Sequence, residues 1–333
     1  MQTFQIHDHL IASGDDTHHL PVINLEVLRL GTDAERRTAA GALGAACRET
    51  GFFCVSRHGI SPAIRTALFA AAHEFFAMPI GRKNELSISR SRHNRGYVQI
   101  GTERLEAQSP PDQKEAFNIG LELPADDAEV LAGRPLRGVN FWPDLPGWRQ
   151  LMLAYYDQCL EIGRTLHRGF CLDLGLPEDF FAPTLVAPAA SLRLLHYPSH
   201  TAKTSEAPGA GEHTDYGNIT LLATDGVAGL EVRRRDGTWI PVADTGELLL
   251  CNIGDCLMRW TNDEYVSTPH RVRVPTTERY SIAFFLDPNP DATVDPSLVR
   301  PHQSPRYAPI SVRDYLLSRF DATYDLRNKA ATA

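Results

Sequence analysis

Several absences narrow the field before any motif is considered. No apolar run approaches the roughly 20 residues of a membrane helix. The first 19 residues are polar and histidine-rich, with no hydrophobic signal core, so the expected compartment is the cytoplasm. Positive charge is in deficit, 33 Lys and Arg against 41 Asp and Glu, giving a net charge of −8. That balance argues against nucleic acid or an anionic membrane as partner, and nothing points to a protein partner. No C-x-x-C occurs among Cys47, Cys54, Cys159, Cys171, Cys251 and Cys256. They read as buried, reduced thiols rather than a zinc ribbon or a redox pair. Repeats and low-complexity tracts are missing too. What remains is a globular chain of 333 residues, with 43% hydrophobic and 22% charged content.

Local signals divide this chain. Residues 1–19 read as an irregular arm, and 20–25 as a short strand. Thr32 and Glu35 make a capping-box pattern opening a helix that Gly51 ends. Phe52 to Ser56 is a buried strand, and Ser61-Pro62 starts a second helix. Lys114 to Ile119 reads as a strand in which Phe117 and Ile119 share a face. A long helix is expected over 148–174, weakened by Gly163 and Gly169 by about 1 kcal/mol each.

From Ser191 the texture changes to short strands about ten residues apart, as in a sandwich or barrel. The candidates are 191–197, 211–215, 219–223, 229–234, 238–242, 247–251, 256–260, 270–275 and 279–286. Asn252-Ile253-Gly254-Asp255 reads as a tight turn between two of them, and 312–320 as a last helix. The expected architecture is mainly β with flanking helices, a jelly-roll barrel of eight main strands.

The chemistry concentrates in residues 211–285. Strand side chains alternate, so His213 and Asp215 leave one face together, with His270 further on. Two imidazoles and a carboxylate on one side of a metal match the facial triad of non-haem Fe(II) oxygenases. The same donors also suit a catalytic Zn(II) with a water. Arg279 and Ser281 alternate likewise, a guanidinium and a hydroxyl placed to hold a carboxylate away from the metal. A simple zinc hydrolase would not need that anchor.

H-x-D, the distant His270 and R-x-S occur here in that order. With them stand Gly51-Phe52-Phe53-Cys54-Val55, His58-Gly59-Ile60, Phe75-Phe76-Ala77-Met78-Pro79, Leu195-His196-Tyr197-Pro198 and Asn252-Ile253-Gly254-Asp255. Over residues 20–320 the chain resembles the isopenicillin N synthase-like family of Fe(II)- and 2-oxoglutarate-dependent dioxygenases. Leu195 stands where many plant members have Asn, so it looks more like the microbial members. The resemblance implies a double-stranded β-helix with Fe(II) on His213, Asp215 and His270. It also implies 2-oxoglutarate held at its far carboxylate by Arg279, Ser281 and Tyr197, and O2 as oxidant. The implied reaction oxidises a C–H bond of a small molecule by hydroxylation, desaturation or cyclisation, with release of succinate and CO2. An oxidase of the isopenicillin N synthase type, using no 2-oxoglutarate, and a non-catalytic binding barrel are the alternatives.

The expected layout is an arm (1–19), an N-terminal helical and strand region (20–125), a loop and supporting helix (126–190), the jelly-roll core (191–290) and a C-terminal helical segment (291–333). If Tyr197 points inward, alternation turns Leu195 and Arg193 inward as well. Phe285 then shares the inner face, and Phe117 with Ile119 would close the mouth. An arginine in an apolar pocket needs a partner. The partner is either an internal Asp or Glu or an anion on the substrate, and the second reading makes the substrate an anionic one, an amino-acid-like or carboxylated metabolite held by Arg193.

Overall fold

The computed structural model describes residues 20–105, 110–199 and 207–320. The arm expected over 1–19 lies outside the described residues, as does the C-terminal segment after 320. β1 (Val22–Asn24) runs directly into α1 (Leu25–Leu30), and α2 (Asp33–Glu49) follows. Its capping box is complete: Glu35 N donates to Thr32 Oγ1, and Thr32 N donates back to Glu35 Oε2 at 2.8 Å. β2 (Phe52–Ser56) leads to α3 (Pro62–Phe76), capped by Ser61. Then come α4 (Ile80–Asn84), β3 (Gly96–Val98), β4 (Glu115–Gly120) and α5 (Ala128–Leu131).

The long helix α6 (Trp148–Leu174) ends at Gly175, whose φ is 71°. Its internal glycines have a packing reason. A Cβ on Gly163 would meet Leu286 Cδ2 at 2.3 Å, and one on Gly169 would meet Leu43 Cδ2 at 2.9 Å. The helix gives up propensity to lie close against its neighbours.

The remaining strands are β5 (Ser191–Tyr197), β6 (Ala210–His213), β7 (Ile219–Thr224), β8 (Leu230–Arg233), β9 (Trp239–Pro241), β10 (Leu249–Ile253), β11 (His270–Val272) and β12 (Arg279–Leu286). With β1 to β4 they form the two main sheets, and Thr293–Val294 with Ile310–Ser311 makes a separate two-stranded one. The larger has the order β1-β2-β10-β7-β12-β5-β4-β3, and the smaller β6-β11-β8-β9. This is the jelly-roll class with flanking helices. Among the described residues the sheets do not join into one closed barrel. The outer face of the large sheet carries α3 and α6 over the main core, which includes Phe75, Trp148, Phe170 and Phe284. Its inner face looks toward the small sheet. No helix among the described residues is long and apolar enough to cross a membrane.

Two local expectations are corrected. Residues 256–260 form no strand: α7 (Asp255–Trp260) is a helix. Cys-Leu-Met-Arg-Trp is too short to show a period, and Leu257 and Trp260, three apart, are both buried, as a helix face requires. The turn expected at Asn252–Asp255 is instead the end of β10 followed by the N-terminus of α7. Gly254 there has an extended backbone, and a Cβ on it would meet Gly217 O at 2.4 Å.

Phe117 and Ile119 do not close a mouth. In the β4–β5 register Phe117 stands opposite Leu194 and Ile119 opposite Leu192. Both side chains are fully buried in the helix-side core, and Phe117 meets Trp148 edge-on at 5.3 Å. Their alternation is as expected, but the phase is reversed. Ala116 and Asn118 share the inner face with Leu195 and Arg193.

Candidate active site

His213 ends β6 and His270 begins β11, and the antiparallel pairing sets the two residues opposite each other. Their ring centroids are 4.3 Å apart. Asp215 follows β6 by two residues. Its Oδ1 lies 3.9 Å from His213 Nε2 and 3.7 Å from His270 Nε2. One atom from each residue falls within 4.8 Å of the other two, the arrangement of a metal site.

The surroundings prepare these atoms for a metal. His213 Nδ1 faces Gly211 O at 2.7 Å, and His270 Nδ1 faces Thr268 O at 3.2 Å. A ring nitrogen beside a carbonyl carries the proton, which leaves both Nε2 lone pairs for coordination. Asp215 Oδ2 accepts from Thr220 Oγ1 at 2.6 Å and from Asn252 Nδ2 at 2.7 Å, so Oδ1 is turned to the imidazoles. Burial first, then His270, hold the His213 imidazole down to about 3, so it is neutral near pH 7. Burial pushes the Asp215 carboxyl up, but the two imidazoles and the Asn252 and Thr220 hydrogen bonds outweigh it and hold it below the usual carboxylate range. Two imidazoles and one carboxylate so arranged fit a divalent cation with open positions.

Arg279 begins β12 and is 1% exposed. Its Nε donates to Val227 O at 3.2 Å and its Nη1 to Ser281 Oγ at 3.3 Å. The guanidinium lies over the Tyr197 ring, 4.9 Å from its centre. No carboxylate among the described residues is in ion-pair contact with it. All six residues line one cavity of about 180 Å³.

Comparison with known proteins gives the same picture. Residues 188–288 match the 2OG-Fe(II) oxygenase superfamily, and residues 20–145 match the non-haem dioxygenase in morphine synthesis N-terminal family. A 2-oxoglutarate-Fe(II) type oxidoreductase of Emericella nidulans, hxnY, is 34% identical over 305 residues, covering 88% of this chain and 87% of that one. The chain belongs to the 2OG-Fe(II) oxygenase superfamily. A homoarginine-6-hydroxylase of Oryza sativa subsp. japonica is 34% identical over 298 residues, covering 85% of this chain and 90% of that one. A full-length Neurospora crassa protein crystallised with alpha-KG superposes with a TM-score of 0.83 at 29% identity, covering 95% of this chain and all of that one. The protein is thus an Fe(II)- and 2-oxoglutarate-dependent dioxygenase with O2 as co-substrate. An oxidase that needs no 2-oxoglutarate, and a barrel without catalysis, find no support among these relatives.

The rest of the dioxygenase pocket holds four of the residues expected there. Arg193, Leu195, Tyr197 and Phe285 line it. Arg193, however, is already matched within the chain. Its Nη2 donates to Glu103 Oε2 at 2.5 Å, and Lys114 Nζ lies 3.5 Å from that same oxygen. Lys114 also pairs with Asp112, so two cations face two carboxylates. Of the two partners considered for this arginine, the internal carboxylate is the one in place.

Sequence reasoning missed several residues of the site. Thr220 and Asn252 orient Asp215, and Asn252 lay in a tetrapeptide read as a turn and as part of the family resemblance, with no role at the metal. Asn118 faces the pocket opposite Arg193, with its Oδ1 buried and unpartnered. Asp287 lies just past β12 and is pushed up to about 7, by burial first and then by the charge of Asp215. Phe320, from the helix over 312–320, reaches the pocket beside Tyr216, with ring centroids 6.1 Å apart. No local signal marked Glu103 or Phe320.

Proposed function

We propose that His213 Nε2, His270 Nε2 and Asp215 Oδ1 hold the iron, that Arg279 with Ser281 and Tyr197 receives the far carboxylate of 2-oxoglutarate, and that the organic substrate is an uncharged polar molecule. When bound, iron, 2-oxoglutarate and O2 supply an oxidant strong enough for an unactivated C–H bond, with succinate and CO2 as by-products. The chain's own share is positioning and exclusion of water. Asn252 and Thr220 fix the Asp215 carboxylate, and the Gly211 and Thr268 carbonyls fix the imidazoles. Ser281 and the Tyr197 ring hold the guanidinium of Arg279 in place.

One contrast carries this reading. Arg279 is buried with no carboxylate partner among the described residues, and an unmatched buried cation is costly until an anion reaches it. Arg193 has Glu103, so it offers no net charge to a second anion. The substrate therefore meets the Asn118 carbonyl oxygen, the Arg193–Glu103 pair and the apolar Leu195 and Phe285. Such a wall suits a compact molecule bearing both donors and acceptors, such as a lactam or nitrogen heterocycle. Thymine, present in a crystal of the Neurospora crassa protein with alpha-KG, is of that kind.

The test is succinate formation coupled to O2 uptake across a panel of lactams, nitrogen heterocycles, carboxylic acids and amino acids. Lactams or heterocycles should drive turnover, with KM raised by Asn118→Ala and the iron and 2-oxoglutarate affinities kept. Turnover with carboxylates or amino acids alone would overturn the substrate class while leaving the co-substrate assignment intact.

A further inference from the structure

A second cavity, of about 480 Å³, lies on the other side of the large sheet, between the sheet and α3. Strand alternation divides the same three strands between the two cavities. Leu222, Leu250 and Ser281 face the active-site pocket, and their chain neighbours Ala223, Leu249 and Ile282 face this cleft. The two cavities share a wall one sheet thick and are lined by different residues.

The chemistry of the cleft is that of a binding site rather than of a packing fault. Leu68, Ala223, Leu249 and Ile282 make an apolar floor and are all buried. Arg29, Arg57 and Arg65 line it as well, with Glu26 and Glu247. None of the three arginines has an ion pair among the described residues. His58 adds no charge: its Nδ1 accepts from Ile60 N at 3.1 Å, so the ring proton sits on Nε2, toward Glu247 O at 2.9 Å. Cations thus exceed anions.

Two polar groups in the wall keep a donor without an oxygen acceptor among the described residues. Arg65 lies over the Phe69 ring at 5.5 Å and donates through Nη2 to Thr224 O, but its Nη1 is buried with no acceptor. Tyr155, from α6, is 1% exposed, and its hydroxyl has only the weakly accepting Cys159 thiol beside it, with no oxygen or nitrogen partner among the described residues. A buried donor without an acceptor costs stability until one arrives. Here a guanidinium N–H and a phenol O–H, above an apolar floor, await the same kind of atom, an anionic oxygen.

We propose that this cleft is a second small-molecule site that binds an organic carboxylate with an apolar body, its acid group on Arg65 and Tyr155 and its hydrocarbon on Leu68, Ala223, Leu249 and Ile282. A phosphate would leave the apolar floor uncovered, and a metal cation would meet three arginines. Neither fits as well.

Hexanoate is a suitable probe, with hexanol as its neutral twin. The protein is loaded anaerobically with Fe(II) and 2-oxoglutarate, so that Arg279 is occupied, and titrated with each probe by ligand-observed NMR. Saturable hexanoate binding is expected, tighter than that of hexanol. Arg65→Met and Tyr155→Phe should each weaken it about tenfold, the loss of one hydrogen bond to a charged group. Asn118→Ala, on the active-site side of the sheet, should leave it unchanged. Melting curves and circular dichroism establish that the variants are folded; Tyr155→Phe keeps the ring and its packing. Absence of saturation, equal affinity for hexanol, or binding lost in Asn118→Ala but kept in Arg65→Met would each overturn the proposal.

Discussion

Asn252 donates to Asp215 Oδ2 at 2.7 Å and thereby leaves Oδ1 alone to face the two imidazoles. The bond joins the last turn of the metal loop to β10, in the middle of the large sheet. Removing such a partner usually costs ten- to a hundredfold in metal affinity. Asn252→Ala is therefore expected to weaken Fe(II) binding by about 10- to 100-fold while turnover recovers at high iron. Anaerobic metal titration checks this, and iron affinity equal to that of the wild type would remove Asn252 from the role.

Arg279→Gln separates co-substrate binding from folding. A hydrogen bond to a charged group is worth about 1.5–3 kcal/mol, so 2-oxoglutarate affinity should fall roughly 10- to 100-fold. Because the guanidinium has no carboxylate partner among the described residues, its loss should leave the melting temperature of the ligand-free protein unchanged or raised. Calorimetric titration and a thermal melt read the two effects independently.

Glu103 and Arg193 should behave in the opposite way. Their side chains are 9% and 18% exposed, so either single change strands a largely buried charge. Arg193→Met or Glu103→Gln alone is expected to lower the melting temperature, and the double variant to recover much of it. Additive losses in the double-mutant cycle would show that the pair is not coupled.

Asp287 gives a pH signature. Its carboxyl titrates near 7 in the fold, against about 3.9 in an unfolded chain. Below about pH 4 it is protonated in both states and costs nothing. Between pH 4 and 7 the unfolded state ionises first, so the fold loses stability, and above 7 the loss is complete. In metal-free protein Asp287→Asn should raise the melting temperature over wild type at pH 8, with the gain shrinking toward pH 5. A gain independent of pH would contradict that titration.

The outline of this site was legible because metal ligation and strand structure leave periodic marks. His213, Asp215, Arg279 and Ser281 stand two apart on strands or just past them, and their residue types are uncommon inside a sheet. Helix starts were legible for a similar reason, since Thr32 with Glu35 and Ser61 with Pro62 satisfy backbone donors locally. What failed needed information from elsewhere in the chain. The faces of β4 are fixed by its register on β5, which put Phe117 and Ile119 in the helix-side core. The partner of Arg193 comes from a loop 90 residues away. α7 was mistaken for a strand because five apolar-rich residues carry no readable period.

The placement of the two halves of the site on different sheets sets the order in which function is lost on warming. β12, with Arg279 and Ser281, lies between β5 and β7 in continuous register on both sides. Its amides are expected to exchange with solvent only when the whole domain opens. β6, with His213, is an edge strand, and its pairing with β11 breaks register right after the His213–His270 pair. Fraying there separates the two imidazoles while the co-substrate anchor is still intact. Mild heat should thus release iron from protein that still binds 2-oxoglutarate, and cooling with fresh Fe(II) restores activity without refolding of the core.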